Sequence, residues 1–507
     1  MAKTTTFDAF TEKWKKFVEK PDDIKDEDWR QFFAPSNPVA GINFGALTDT
    51  YTDNKGRKSE TNERKTIRDN WSFISTKFKE LYDLQNPEEI KQKLKDINSY
   101  ILDVIKNNGG KEKKVAINRI LATLYPDKLL TIPGEKDVER LADLLGVSTE
   151  KENKESKDWI DLCFEIKPIL EKRYPKMMHW GAYLQLVQEN NLTKNYNLIL
   201  TGAPGTGKTF LARQMAANII GVDMKDLDNN DQFGFVQFHP SYDYTDFVEG
   251  LRPQPDGTFK RQDGVFKSFC AKAAIAEKED KDKEKDEKNK RKFVFVIDEI
   301  NRGEISKIFG ELFFSIDSGY RKKGDRIPVR TQYQNLIDDD ESLTPDNYRF
   351  KKGFYVPSNV YVIGTMNDID RSVESMDFAF RRRFSFYEVK ATDTQYSILK
   401  DVSSFDEAIK KMNSLNKAIE NIEGLSPAYH IGAAYFKKIT LYENERESWI
   451  LLWNNHLKGL LFEYLRGKPN TMDLLKQLES AYFGKDINTE EGQEEGEKAE
   501  NVNDTKG

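Results

Sequence analysis

Residues Leu198–Phe210 read LILTGAPGTGKTF. The apolar run Leu198–Leu200 leads into a turn carrying Gly202, Gly205 and Gly207, and then into Lys208–Thr209. This is GxxxxGK[ST] between a strand-like and a helix-like segment, the context in which that spacing has meaning. Glycine lets the backbone curl until its N–H groups face a phosphate chain. The candidate phosphate-binding residues are Gly202, Ala203, Pro204, Gly205, Thr206, Gly207, Lys208, Thr209 and Phe210. Lys208 is placed to reach the terminal phosphates. Thr209 is placed to offer its hydroxyl to Mg²⁺, and the helix opening there adds a field favourable to anions.

Working outward, short apolar runs recur at Phe235–Phe238, Phe293–Ile297 and Tyr361–Gly364, separated by helical stretches. Near-continuous β-branched and aromatic runs are what buried parallel strands require. The spacing predicts an α/β core with right-handed crossovers. The run FVFVIDE (Phe293–Glu299) ends in two carboxylates. Asp298 at the carboxyl edge of a sheet can orient Mg²⁺ or its water, and Glu299 can polarise an attacking water. Asp-Glu can also merely cap the next helix. In YVIGTMNDIDRS (Tyr361–Ser372), Asn367 falls at a strand end, and Asp370 is placed to hold it or an arginine. Asp370–Arg371 also reads as a local turn or salt bridge. Arg381, Arg382 and Arg383 run between Phe380 and Phe384. One of them can meet a neighbouring subunit's γ-phosphate, where guanidinium is favoured over ammonium.

The chain has 507 residues, too many for one ordinary core. Charged residues make up 32% and the formal net charge is -6, which gives no global support to avid nucleic-acid binding. Cys163 and Cys270 lie far apart without metal-ligand spacing, so no disulfide framework is expected and a cytoplasmic location is the simplest reading. The longest apolar runs, such as Trp449–Trp453, are far too short to span a bilayer.

Residues 1–150 read as a separate, mostly helical domain, a possible DNA or ligand reader. Trp14, Phe17 and Val18 mark one helical face; Leu94, Ile97, Ile101 and Ile105 mark another. Ile117, Ile120, Leu121 and Leu124 continue the pattern up to Pro126. Thr48–Glu63 reads as a long loop or hairpin. Ser148–Lys157 reads as a linker or the solvated end of a helix, opening a stretch, 151–190, of linker and lead-in helix that carries Trp180, Leu184 and Val187. A large α/β domain is expected over 191–390, a small helical domain over 391–484, and an acidic disordered tail over 485–507. The charge run Glu277–Lys292 reads as a solvated helix extension or loop. The aromatics of His239–Gly250 suit base stacking or, at least as well, core packing at a subunit interface. Gly250–Phe266, with Arg252, Lys260 and Arg261, reads as a surface hairpin or pore-facing loop.

Taken together, these pieces resemble the McrB family, the AAA+ motor subunits of McrBC-type modification-dependent restriction systems. The matching segments are GAPGTGKT at 202–209, FHPSYDYTDFVEGLRP at 238–253, VFVIDEINRGEISKIFGEL at 294–312, GTMNDIDRS at 364–372, MDFAFRRRFSF at 376–386 and SPAYHIGAAYF at 426–436. The last reads IGAAYF where the family more often has IGHSYF. The resemblance implies a P-loop NTPase core with a small helical lid. It implies Walker A at Lys208 and Thr209, Walker B at Asp298 and Glu299, signature residues at Asn367, Asp370 and Arg371, and an arginine cluster at Arg381–Arg383. It further implies a hexameric ring, Mg²⁺ with GTP, ATP staying open, and a McrC-type endonuclease subunit acting on modified duplex DNA. A MoxR-type protein-remodelling ATPase and a phage-defence sensor are the competing readings.

Overall fold

The computed structural model describes residues 17–24, 51–52, 58–59, 62–110, 114–132, 134–151, 155–174, 179–286, 289–321, 326–340, 342–344, 348–369 and 378–484. Trp14, Asp370, Arg371 and the acidic tail lie outside them. The chain divides into two compact units, Met1–Asn190 and Asn191–Gly507.

The first unit is helical. Its helices are α1 (Asn62–Asp69), α2 (Trp71–Tyr82), α3 (Pro87–Asn107), α4 (Lys114–Leu124), α5 (Glu135–Leu145) and α6 (Trp159–Arg173), and α7 (His179–Asn195) runs across its end into the second unit. The apolar residues of α3 at three- and four-residue spacing, Leu94, Ile97, Ile101 and Ile105, are fully buried. Asn86 caps α3 by accepting from the Glu88 N–H. Between residues 48 and 63, Tyr51–Thr52 pairs antiparallel with Lys58–Ser59. The unit extends past the expected boundary near residue 150. Within the linker stretch, Glu150 bridges Ser156, and Asp158 forms a capping box with Asp161. The helix that follows, α6, buries Trp159, Ile160, Leu162, Cys163, Ile166 and Leu170 in the same core as α2 and α3. Its apolar face demands a partner and finds one in that core.

The second unit is built on a parallel five-stranded sheet. Its strands are β1 (Asn197–Thr201), β2 (Phe233–Gln237), β5 (Phe293–Asp298), β6 (Val360–Thr365) and β7 (Ser385–Glu388), in the order β2-β5-β6-β1-β7. A hairpin, β3 (Glu249–Pro253) with β4 (Phe259–Asp263), projects between β2 and the helix Val265–Asp282. All six residues of β5 and of β6 are buried, as their unbroken apolar runs require. β6 lies between β1 and β5, and the register sets Thr365 beside Leu200 and Gly364 beside Ile297. The carboxyl ends of the phosphate-loop strand and the acidic strand therefore flank the end of β6. α8 (Lys208–Ile220) follows β1 directly.

In His239–Gly250, Phe247 belongs to the core, Tyr242 and Tyr244 pack against it half-buried, and His239 is exposed. Phe238 and Phe247 are buried, and Phe247 stacks on Phe266 at 4.8 Å. The charge run is less solvated than its composition implies. Asp280 is 1% exposed and accepts from both the backbone N–H and Nε of Arg291. Glu277 binds Arg326 and the Ser358 N–H. Alternating sign lets the end of a helix tie itself to the segment that enters β5. Both cysteines are buried, and burial pushes their thiols up. A further helical cluster, from Leu399 to Tyr482, has its own core around Trp453, Phe436 and Leu461.

At the amino end of the sheet, Arg321 is fully buried, and desolvation pulls its guanidinium down to about 10. It donates to the Ile316 and Val360 carbonyls and to Asn197 Oδ1. Asn197 in turn donates to the carbonyls of Ile316 and Arg383. Arg321→Ala would strand these acceptors, and we expect a loss of ~3 kcal/mol in the stability of this unit, read by urea denaturation. An unchanged midpoint would remove Arg321 from the sheet's supports.

Candidate active site

The turn after β1 has the backbone that its glycines permit. Gly202, Gly205 and Gly207 all have positive φ, at 138°, 75° and 84°. A Cβ on Gly202 would stand 2.4 Å from the Val389 carbonyl oxygen. Lys208 opens α8 and is 7% exposed. Its Nζ donates to the carbonyls of Gly202 at 3.0 Å and Ala203 at 2.8 Å, and to Asn367 Oδ1 at 2.9 Å. Phe210, included with the loop from sequence, is 56% exposed on α8.

Two hydrogen-bonded chains meet at this edge. In the first, Thr209 Oγ1 donates to Asp298 Oδ1 at 2.7 Å, and Thr365 Oγ1 donates to the same oxygen at 2.6 Å. The Thr365 hydroxyl also accepts the Glu299 N–H at 3.2 Å. In the second, the Asn367 amide accepts from Lys208 and donates to both Glu299 oxygens, at 2.9 and 3.1 Å. Arg302 Nε lies 3.8 Å from Glu299 Oε2. A neutral amide suits this position because it offers an acceptor to a cation and a donor to a carboxylate. An aspartate there would face Glu299 with like charge.

Glu299 has φ 52° and ψ 45°, in the left-handed region. For a residue other than glycine, such a conformation costs of order 1–3 kcal/mol and clusters at functional sites. The turn points Glu299 away from Asp298, so one carboxylate serves the Thr209 side and the other the Asn367 side. Thr365 was not singled out from sequence. The signal for it is register: the last residue of an apolar strand, polar and β-branched, between the two functional strands. Asn301 was also missed; its Nδ2 donates to the Asn367 carbonyl at 3.4 Å.

The arginine run stands at the other end of the sheet. β7 is parallel to β1, with Ser385 beside Leu198 and Glu388 beside Thr201. Arg381–Arg383 precede Ser385, and so lie at the amino edge, opposite the phosphate loop. Arg383 is turned inward. Its Nη1 donates to the Ala379 carbonyl, and its guanidinium lies 4.5 Å from the Phe313 ring centroid. Arg381 and Arg382 are exposed, Arg381 with its guanidinium 5.7 Å from the Phe386 ring centroid.

The donor set fits a triphosphate with Mg²⁺. A curled loop, a lysine, a hydroxyl and one carboxylate converge, and Mg²⁺ is typically held by one or two carboxylates, water and substrate phosphates. Among the described residues there is no cluster of three or more His, Cys, Asp or Glu that would hold a metal unaided. Among them, too, no helix is long and apolar enough to cross a membrane.

Residues 197–384 match the AAA domain (dynein-related subfamily). The chain is 40% identical over 253 residues to the Type IV methyl-directed restriction enzyme EcoKMcrB subunit of Escherichia coli (strain K12), covering 48% of each chain. It is 28% identical over 212 residues to the Type II restriction enzyme BsuMI component YdiS of Bacillus subtilis (strain 168), covering 38% of this chain and 56% of that protein. The chain thus spans about half the length of the curated relatives it matches. It carries an AAA domain on a parallel β2-β5-β6-β1-β7 sheet and is similar over about half its length to the McrB subunit.

Proposed function

We propose that the chain hydrolyses a purine nucleoside triphosphate at the carboxyl edge of its sheet and works as a ring motor for a restriction nuclease. The observation that carries the reading is the Lys208–Asn367–Glu299 bridge beside the Thr209–Asp298–Thr365 chain. The loop N–H groups and Lys208 bind the phosphates. Thr209 and Asp298 hold Mg²⁺, which when bound neutralises charge developing on the phosphate oxygens. Glu299 accepts a proton at a carboxylate oxygen from the water that attacks the γ-phosphate, and Asn367 holds that carboxylate in place.

Assembly follows from where the arginines stand. From Ser385 to Glu388 a strand covers about 10 Å at ~3.3 Å per residue, so Arg381 and Arg382 are remote from their own phosphate loop. A phosphate that they meet belongs to another copy, which supports a closed homo-oligomer such as a hexamer. Arg383 is occupied internally, which leaves Arg381 and Arg382 for this role. The relatives' names describe parts of restriction enzymes, one a subunit and one a component. On that basis the partner is an endonuclease subunit of the McrC type, acting on modified duplex DNA. The first unit is assigned the reading of that DNA or another ligand. GTP as the preferred nucleotide rests on the family resemblance.

The deciding experiment is hydrolysis of GTP against ATP, with and without modified duplex DNA and the nuclease partner. Absence of turnover of both nucleotides under every condition would end the motor reading. Lys208→Ala is expected to weaken nucleotide binding strongly. Glu299→Gln is expected to retain binding and lose at least ~10²-fold in turnover; a small loss would take the proton-accepting role from Glu299. Thr365→Val removes the hydroxyl shared by Asp298 and Glu299, and we expect turnover to fall about tenfold with the fold intact. Equal kcat in wild type and variant would make Thr365 a bystander. In rings mixing wild-type and Arg382→Ala subunits, activity should fall more steeply than the mutant fraction, and a proportional fall would count against action in trans.

A further inference from the structure

Every carbonyl of the phosphate loop from Gly202 to Thr206 accepts a hydrogen bond. The Gly202 carbonyl takes Lys208 Nζ at 3.0 Å and the Asp368 N–H at 3.4 Å. The Ala203 carbonyl takes Lys208 Nζ at 2.8 Å and Thr206 Oγ1 at 3.0 Å. The remaining carbonyls are held from outside the loop. The Gly432 N–H donates to Pro204 at 2.9 Å, the Ala434 N–H donates to Gly205 at 3.0 Å, and Thr394 Oγ1 donates to Thr206 at 2.6 Å.

This approach depends on two facing glycines. A Cβ on Gly432 would lie 2.1 Å from the Gly205 carbonyl carbon, and a Cβ on Gly205 would lie 2.6 Å from Tyr435 Cδ2. Backbone therefore meets backbone, with the Tyr435 ring laid against the loop. Thr394 sits in α9 (Ala391–Leu399), and Gly432 caps the short helix Ala433–Lys437.

A planar trans peptide points its C=O and the next residue's N–H in opposite directions. Holding the carbonyls of Pro204, Gly205 and Thr206 therefore orients the N–H groups of Gly205, Thr206 and Gly207 the other way. We propose that Thr394 and the Gly432–Ala434 backbone are positioning groups of the nucleotide site: they set the direction of the loop amides that bind phosphate. The inference rests on the nucleotide reading above and extends it to residues that touch no phosphate. It also couples the helical lid to the loop, because any rotation of the lid removes its donors from these carbonyls. By reciprocity, phosphate bound to the amides favours the docked lid.

The test uses the full chain and a fluorescent purine nucleoside diphosphate with Mg²⁺. Thr394→Val deletes the hydroxyl and keeps the shape. Its Kd should rise about fivefold, the effect of one net hydrogen bond, with a melting temperature lowered by no more than about 4 °C. Thr394→Ser keeps the hydroxyl and should restore wild-type affinity. Gly432→Ala forces the backbones apart and should weaken binding more than tenfold. In both weakened variants, hydrogen exchange across residues 431–436 should quicken without nucleotide. Wild-type affinity in Thr394→Val, or equal weakness in Thr394→Ser, would overturn the positioning role while leaving the nucleotide reading standing. A wild-type chain that binds no nucleotide would bring down both.

Discussion

The position of β6 between β1 and β5 is the constraint on which the site depends. Neighbouring strands stand about 4.8 Å apart, so the phosphate-loop strand and the acidic strand are separated by about twice that. The gap has to be bridged by the strand between them, and its last residues must be polar. Thr365 spans toward Asp298 and the Glu299 backbone, and Asn367 spans between Lys208 and Glu299. Register makes this possible. A shift of one residue would turn the Thr365 hydroxyl to the opposite face of the sheet.

The same edge shows how the charges are kept apart. Asp298 and Glu299 are adjacent in sequence, and an extended chain would set them on opposite faces anyway. The left-handed turn at Glu299 goes further, bringing its carboxylate back over the sheet edge to a neutral amide. The strain is offset by bonds on both sides of the residue, to the Thr365 hydroxyl through its N–H and to Asn367 through its carboxylate. At the far edge, Arg321 and Asn197 fix the carbonyl of Arg383 and so the place where the arginine run ends. The two ends of one parallel sheet thereby carry the phosphate loop and the arginine run.

Much of this was legible in the sequence, for identifiable reasons. Buried parallel strands write themselves as apolar runs, and glycine at Gly202, Gly205 and Gly207 writes a loop with positive φ. What local pattern cannot express is pairing at long separation. Thr365 acquires meaning only from register with β1 and β5. The tie between Asp280 and Arg291 is invisible in a segment whose composition matches a solvated run. The rings of His239–Gly250 were ambiguous because aromatic content alone does not say which face a ring meets. The tie of the helix after Ser148–Lys157 to the helical core is hidden for the same reason, because the segment before it is polar.

The segment IGAAYF makes the point about backbone recognition. Where the family more often has IGHSYF, this chain has alanines, and a side-chain account of the lid would lose two polar groups. The contacts to the phosphate loop come instead from the N–H groups of Gly432 and Ala434, which every residue except proline possesses. The strict demand is for glycine at 432, where a Cβ would enter the loop, and for the glycine at 205 that faces it. A contact built this way tolerates drift in its side chains and keeps its geometry. In this chain the docking of the segment on the loop therefore needs no polar side chain at 433 or 434.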